Sequence, residues 1–279
     1  MAVEWTDRYP SPESLRREVS AMVESFVEVL LDRIPASEIA GIYFKGSAQK
    51  DWDSPVDYVP ELSDVDIHLL FRDSSDIGRR LTIEGALGIQ SQVEDVYRKK
   101  APSPIHIPRP QITMLNHLLQ EPDYCSTPVE AVTTLYGDDY PETGHTDEQR
   151  LREIARQRLP SYASPLETLP LSLVDKPGDY IVSALRGLNW RVSPIGPIVL
   201  FLLGMPWREV WVLNRTRMIA VLEEQGEAKL AADYSAFYLS GWDYFLSGYT
   251  DSAAARRAVM AAVETLRTAA AAAERIEPF

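Results

Sequence analysis

Cysteine and histidine are nearly missing from this chain. The single cysteine, Cys125, excludes an internal disulfide, and one cysteine with four histidines in no zinc-ligand spacing excludes structural zinc. Long apolar runs are missing too. The longest, Ile195 to Trp207, is interrupted by Gly196, Pro197, Gly204 and Pro206 and falls short of the roughly 20 apolar residues that a membrane span needs. No membrane partner is expected. The first residues, MAVEWTDRYPSPESLRREV, have no basic stretch followed by an apolar run, so the expected compartment is the cytoplasm. Basic residues are short as well: 28 against 41 acidic, a net charge of −13, repels a polyphosphate backbone and makes long nucleic acid a poor partner. Two meanings of this acidity stay open, solubility alone or acidic walls that attract a cationic substrate. No internal repeat is evident.

What is present is ordinary globular material. At 45% hydrophobic and 25% charged residues, the chain has enough apolar side chains to build a core, and its length favours two domains over one. Ser11-Pro12-Glu13-Ser14 reads as a helix start, and Leu15, Val19, Met22, Val23, Phe26, Val27 and Leu30 recur at helical spacing to about Arg33. The run Ile39-Ala40-Gly41-Ile42-Tyr43-Phe44 stops at Lys45-Gly46-Ser47 and predicts a buried strand ending in a turn. A polar loop follows from Gln49 to Glu61. Then Val65, Ile67, Leu69 and Phe71 alternate with Asp64, Asp66, His68 and Leu70, a second strand with both aspartates on one face. A helical pattern from about Ile77 to Lys100, the breaker Ala101-Pro102-Ser103-Pro104 and a third strand at Gln111 to Leu115 complete an α/β first domain. The polar stretch Tyr140 to Gln149, with Gly144 and His145, is the expected boundary, giving domains 1–145 and 146–279. Beyond it the patterns predict helices at about Asp147–Gln157, Asp179–Trp190, Pro206–Gln225, Lys229–Leu246 and Ser252–Glu274.

The chemistry-bearing residues are Lys45-Gly46-Ser47 and Ser63-Asp64-Val65-Asp66. Two carboxylates two residues apart on a strand converge within reach of one hard cation, and Mg²⁺ favours one or two carboxylates plus substrate phosphates. A glycine and a hydroxyl on the turn of the neighbouring strand let the backbone approach a triphosphate while Ser47 donates a hydrogen bond to it. Each feature alone is common, Asp-x-Asp being more often a solvated strand face. The order strand, Gly-Ser turn, strand with Asp-x-Asp is specific.

The stretch GIYFKGS followed by SDVDIHLLF resembles the polymerase-β-like nucleotidyltransferase superfamily over residues 39–72, and more loosely to about residue 140. Within it the chain is most similar to the aminoglycoside nucleotidyltransferases, whose Leu-Tyr-Gly element resembles Leu135-Tyr136-Gly137-Asp138. The resemblance implies an α/β (α+β) nucleotidyltransferase domain with a small mixed sheet, followed by an all-α helical bundle, and the cleft is expected between them because pockets favour domain interfaces. It implies Asp64 and Asp66 as metal ligands for two Mg²⁺ ions, Gly46, Ser47 and Ser63 around the nucleotide, and a cation from the helical half, Arg215 or Lys229, on the triphosphate. The implied reaction moves a nucleoside monophosphate, AMP from ATP or that of another NTP, to a hydroxyl of a small acceptor. A homodimer is left open.

Two features depart from that pattern. The linker between Ser47 and Asp64, carrying Trp52, Asp53, Pro55, Asp57, Tyr58 and Pro60, is long, a flap over the site or a surface insertion. The family's third carboxylate, on the strand that Arg109-Pro110-Gln111-Ile112-Thr113 resembles, is replaced by Gln111, and an amide cannot take the acceptor's proton. Three consequences stay open: Glu94 or Asp57 substitutes, the metal and water suffice, or nucleotide is bound without transfer. A regulatory nucleotide-binding protein and a protein-AMPylating enzyme are therefore the alternatives. His68, His106 and His117 read as structural. Asn189, Arg191, Asn214 and Arg217 accompany Arg215 and Lys229 as polar groups of the helical half, where surface ion pairs are the plainer reading. Trp207, Trp211, Tyr234, Trp242 and Tyr244 read as packing, although an aromatic wall would also suit a cationic ring.

Overall fold

The computed structural model describes residues 3–142 and 147–276, and the chain divides into two compact units that are not contiguous in sequence. One comprises Pro10–Lys50 and Asp64–Thr143, the other Met1–Tyr9, Asp51–Ser63 and Gly144–Phe279. The expected division at 145 and 146 differs from this arrangement in assigning residues 1–9 and 51–63 to the first half. Gly144 and His145, named for that boundary, lie outside the described residues.

The first unit is α+β. Helix α1 (Pro12–Arg33) starts where expected because Ser11 accepts a hydrogen bond from the Ser14 amide and Pro12 occupies its first turn. Strands β1 (Ile39–Lys45) and β2 (Asp64–Phe71) run antiparallel. The chain crosses over through α2 (Ser75–Arg80) and α3 (Ile83–Lys100), two helices rather than one, because Thr82 caps the second by accepting from Gly85 N–H. Strand β3 (Arg109–Met114) lies parallel to β2, and the short α4 (Leu115–Leu118) follows. Strand β4 (Val132–Gly137) lies antiparallel to β1, giving a small mixed sheet of order β3-β2-β1-β4. Gly137, at φ +84°, is the one residue able to pass so close to the Ala40 carbonyl. The Leu135–Asp138 element thus forms an edge strand, and Asp138 N–H donates to Ala40 O at 2.8 Å.

The sheet is unequal on its two sides. Val65, Ile67, Leu69 and Phe71 are buried along β2 with Ile42 beside them, whereas Asp64, Asp66 and His68 line the other face. His68 Nδ1 meets Tyr140 Oη at 3.0 Å, and Tyr43 packs edge-on to Tyr140 with centroids 5.0 Å apart. Burial, with the Lys45 charge adding to it, pushes the His68 imidazole down to about 3. A second buried polar group ties α1 to the segment before β3. Glu18 accepts from the amides of Ile105 (2.6 Å) and His106 (3.2 Å) and meets His106 Nδ1 at 2.7 Å. Burial alone would raise the Glu18 carboxyl, but these hydrogen bonds outweigh it and hold it below its usual range.

Both groups make the unit acid-labile. The stability from neutral His68 is complete above its unfolded value of 6.5 and is lost as pH falls from there toward about 3. That from Glu18 is present above 4.5 and is lost as pH falls through its lower folded value. Urea titrations at pH 6.5 and 5 are expected to differ by about 1–2 kcal/mol from His68 alone. His68→Asn should flatten that slope.

The second unit is helical: α5 (Glu148–Ala163), α6 (Leu169–Val174), α7 (Ile181–Val192), α8 (Ile195–Leu202), α9 (Trp207–Val212), α10 (Arg215–Glu224), α11 (Ala228–Leu246) and α12 (Ser252–Arg275). Its centre is α11 against α12. Buried Ala254, Ala255, Ala258, Ala262 and Ala269 keep one face of α12 low, while α11 buries Tyr234, Phe237, Tyr238 and Trp242, small surface beside large as close packing requires. The predicted single helix from Pro206 to Gln225 is two, broken where Asn214 caps α10 by accepting from Arg217 N–H. No described helix is long and apolar enough to cross a membrane.

Residues 51–63 are not a surface insertion. Val56, Tyr58, Val59 and Leu62 are buried, Trp52 stacks on Tyr58 at 4.4 Å, and Trp242 Nε1 donates to Pro55 O at 2.7 Å. The Asp57 carboxylate accepts from Thr216 N (2.8 Å), Thr216 Oγ1 (2.6 Å) and Ser54 N (2.9 Å). It thereby satisfies one otherwise orphaned backbone donor in the first turn of α10, the Thr216 amide.

Candidate functional site

Strand pairing assembles the site. β1 ends at Lys45, and the chain turns at once: Gly46 takes φ +84°, and Gln49 N–H closes the turn on Gly46 O at 3.2 Å. A Cβ on Gly46 would lie well under 3.0 Å from Asp66 Oδ2, so the backbone of this turn abuts the Asp66 carboxylate, and a side chain is excluded there on two counts. Across the sheet, Lys45 on β1 pairs with Asp66 on β2, and Asp66 with Gln111 on β3. One step along, Asp64 pairs with Arg109, and the two side chains form an ion pair. In-register neighbours share a face, with directly opposed Cβ atoms about 4.5–5.5 Å apart in an antiparallel pair. Lys45, Asp64, Asp66, Arg109 and Gln111 therefore form one polar patch beside the Gly46 turn.

Burial grades along this face. His68 and Tyr43 form a closed aromatic floor with Tyr140, Asp64 is 9% exposed, and Lys45, Gly46, Ser47, Asp66 and Gln111 are half-buried. Arg109 keeps its Nε buried with no hydrogen-bond partner, leaving one direction of its guanidinium fork unspent. The patch holds two carboxylates and two cations, not the purely acidic cluster that the two aspartates alone suggest. Among the described residues no group of three or more His, Cys, Asp or Glu could hold a metal ion. Asp64 and Asp66, sharing one strand face, fit a single Mg²⁺ that completes its shell with phosphate oxygens and water.

Of the residues singled out from sequence, Gly46, Ser47, Asp64, Asp66 and Gln111 come together in the α+β unit. Three others do not serve as expected. Ser63 is 1% exposed and belongs to the helical unit, its hydroxyl accepting from Val59 N–H and Arg215 Nη1. Arg215, 4% exposed, donates from Nη1 to Val56 O, Asp57 O and Ser63 Oγ and lies 3.9 Å over the Tyr238 ring. Its guanidinium is committed to holding the 51–63 segment, so the assignment to a triphosphate is corrected. Lys229 is exposed and pairs with Asp233 one turn along α11 (2.7 Å), the surface ion pairing that helical spacing favours, and with Glu264 on α12 (3.3 Å).

The two carboxylates named as replacements for the third already have partners. Asp57 is 1% exposed and spends both oxygens on α10, while Glu94 sits on α3 with Arg98 and Gln90. Sequence reasoning named Lys45 with the Gly46-Ser47 turn but passed over Arg109 as a site residue. The signal was available: if Gln111 lies beside Asp66 in a parallel pair, the residue two earlier lies beside Asp64. No family model, no curated protein and no solved structure matches the chain, so the functional reading rests on the geometry of this patch.

Proposed function

We propose that the Gly46–Ser47 turn and the Asp64–Asp66 face of β2 bind a nucleoside triphosphate with one Mg²⁺, and that the protein is a nucleotidyltransferase acting on a hydroxyl of a small acceptor, AMP from ATP being the leading donor chemistry. One observation carries the reading: a glycine at φ +84° whose backbone abuts Asp66, with Asp64 on the same strand face. Asp64 and Asp66 would hold the ion, which supplies neutralisation of phosphoryl charge when bound. Gly46 keeps the turn low enough for phosphates to approach, and Ser47 donates to them. Lys45 and Arg109 supply the positive charge that an anionic donor needs on a chain of net charge −13, and Arg109 Nε–H is a donor still to be used. In the transfer, the acceptor oxygen bonds to the α-phosphorus and the bond to the β-bridging oxygen breaks. Pyrophosphate leaves, and the hydroxyl proton passes to solvent because the neighbouring Gln111 amide cannot take it.

Gln111 favours a second reading, nucleotide binding without transfer. The two are separated by pyrophosphate release with ATP and Mg²⁺ against a panel of hydroxylated cationic small molecules. Gln111→Glu is expected to raise release about 100-fold by restoring a proton acceptor next to Asp66. Zero release from both proteins, with triphosphate binding intact, would replace the transferase by the binding-only protein.

A further inference from the structure

The helical unit contains a cavity of about 440 Å³, within the range that holds a small organic ligand. It exists because the chain between α5 and α7 does not form one continuous helix. Pro160 lies inside α5 and removes a ladder donor, Pro165 and Pro170 start two short helical pieces, and Pro177 precedes the last turn before α7. These pieces and α7 border an open space lined by Tyr162, Trp190 and Gly187.

The chemistry of the wall is selective. Tyr162 and Trp190 meet edge-on with centroids 6.4 Å apart, and the Arg191 guanidinium lies 5.4 Å over the Trp190 ring. Arg191 has no carboxylate partner among the described residues, and Lys176, whose Nζ meets Asp175 at 2.9 Å, stands at the same cavity. None of the lining residues is acidic, although the chain carries 41 acidic residues. Ser172 and Ser183 add hydroxyls. Gly187 sits one helical turn before Trp190 and Arg191, and a Cβ built on it meets nothing within 4 Å. A glycine inside a helix without a packing neighbour is unfavourable for the helix itself, and here it keeps the cavity open.

We propose that this cavity is a binding site for a small aromatic anion, a flat carboxylate or sulfonate, with the ring against Tyr162 and Trp190 and the charge on the Arg191 fork. The site stands on the helical unit alone and does not depend on the nucleotide reading. It is tested with 1-anilinonaphthalene-8-sulfonate, and with N-phenyl-1-naphthylamine as the same ring system without the charge, by fluorescence titration of the full chain. Wild type is expected to bind the sulfonate saturably at one site. Arg191→Gln should weaken the sulfonate at least tenfold and the uncharged dye less than twofold. Gly187→Leu should fill the space and abolish both while leaving the urea midpoint unchanged or higher. Absence of saturable binding, equal sulfonate affinity in Arg191→Gln, or undiminished binding by Gly187→Leu would each overturn the proposal.

Discussion

Arg215→Met is expected to destabilise the helical unit by about 3–5 kcal/mol, the range for removing one member of a buried charged network. The methionine keeps the apolar stem but withdraws Nη1 from Val56 O, Asp57 O and Ser63 Oγ, leaving buried acceptors unsatisfied at about 1–3 kcal/mol each where no water enters. It also removes the cation over Tyr238. The loss carries a pH signature. Burial already holds the Asp57 carboxyl above its usual range, against the hydrogen bonds from Thr216 and Ser54 and the Arg215 charge, which lower it. A carboxyl whose folded pKa is raised contributes most below its unfolded value, and that contribution disappears as pH rises through the folded value. Without Arg215 the folded value rises further, so the deficit should be larger at pH 7 than at pH 4.5. Urea unfolding of both proteins at the two pH values measures it. A pH-independent loss, or one below about 1 kcal/mol, would mean that Arg215 does not anchor residues 51–63.

Gly46→Ala is expected to weaken Mg²⁺-dependent triphosphate binding at least tenfold while costing only about 1–2 kcal/mol of stability, the strain of placing a Cβ at positive φ. Its particular effect is the collision with Asp66 Oδ2, which forces the carboxylate to rotate away from the turn. Gly226→Ala is the matched control. Gly226 has φ +83°, and a Cβ there meets nothing within 4 Å, so the backbone strain is alike and the site is untouched. Equal binding losses in the two variants would assign the effect to strain and remove the special place given to Gly46.

The parts of the fold that were legible in sequence are those whose pattern is local. β1 declares itself by a short apolar run that stops at a Gly-Ser turn, β2 by apolar alternation, and α1, α11 and α12 by helical spacing. β4 was hidden because an edge strand carries Thr133 and Thr134 exposed and so shows no clean period. α8 was hidden by Gly196 and Pro197, which read as breakers. Pro197 lies in the first turn, where no helical donor is lost, and a Cβ on Gly196 would strike Met218 Sδ. Residues 51–63 look like a polar loop, but their aspartates cap and pair with α10, and no spacing encodes a partner about 160 positions away. The same long-range pairing bears on Arg215: the family resemblance put it on a triphosphate, whereas its Nη1 donates to the carbonyls of Val56 and Asp57. Asp64, Asp66 and Gly46 needed only period two and a turn. Arg109 needed one step more, the parallel register of β2 and β3 that sets it beside Asp64 once Gln111 is beside Asp66.

The central claim is that Asp64 and Asp66 hold a metal-bound triphosphate, and calorimetric titration of the four nucleoside triphosphates, with and without Mg²⁺, tests it most directly. Wild type should bind at least one of them in a Mg²⁺-dependent manner, and the folded Asp64→Asn, Asp66→Asn double variant should bind none. Undiminished binding by that variant, or no binding by wild type to any triphosphate, would contradict the account.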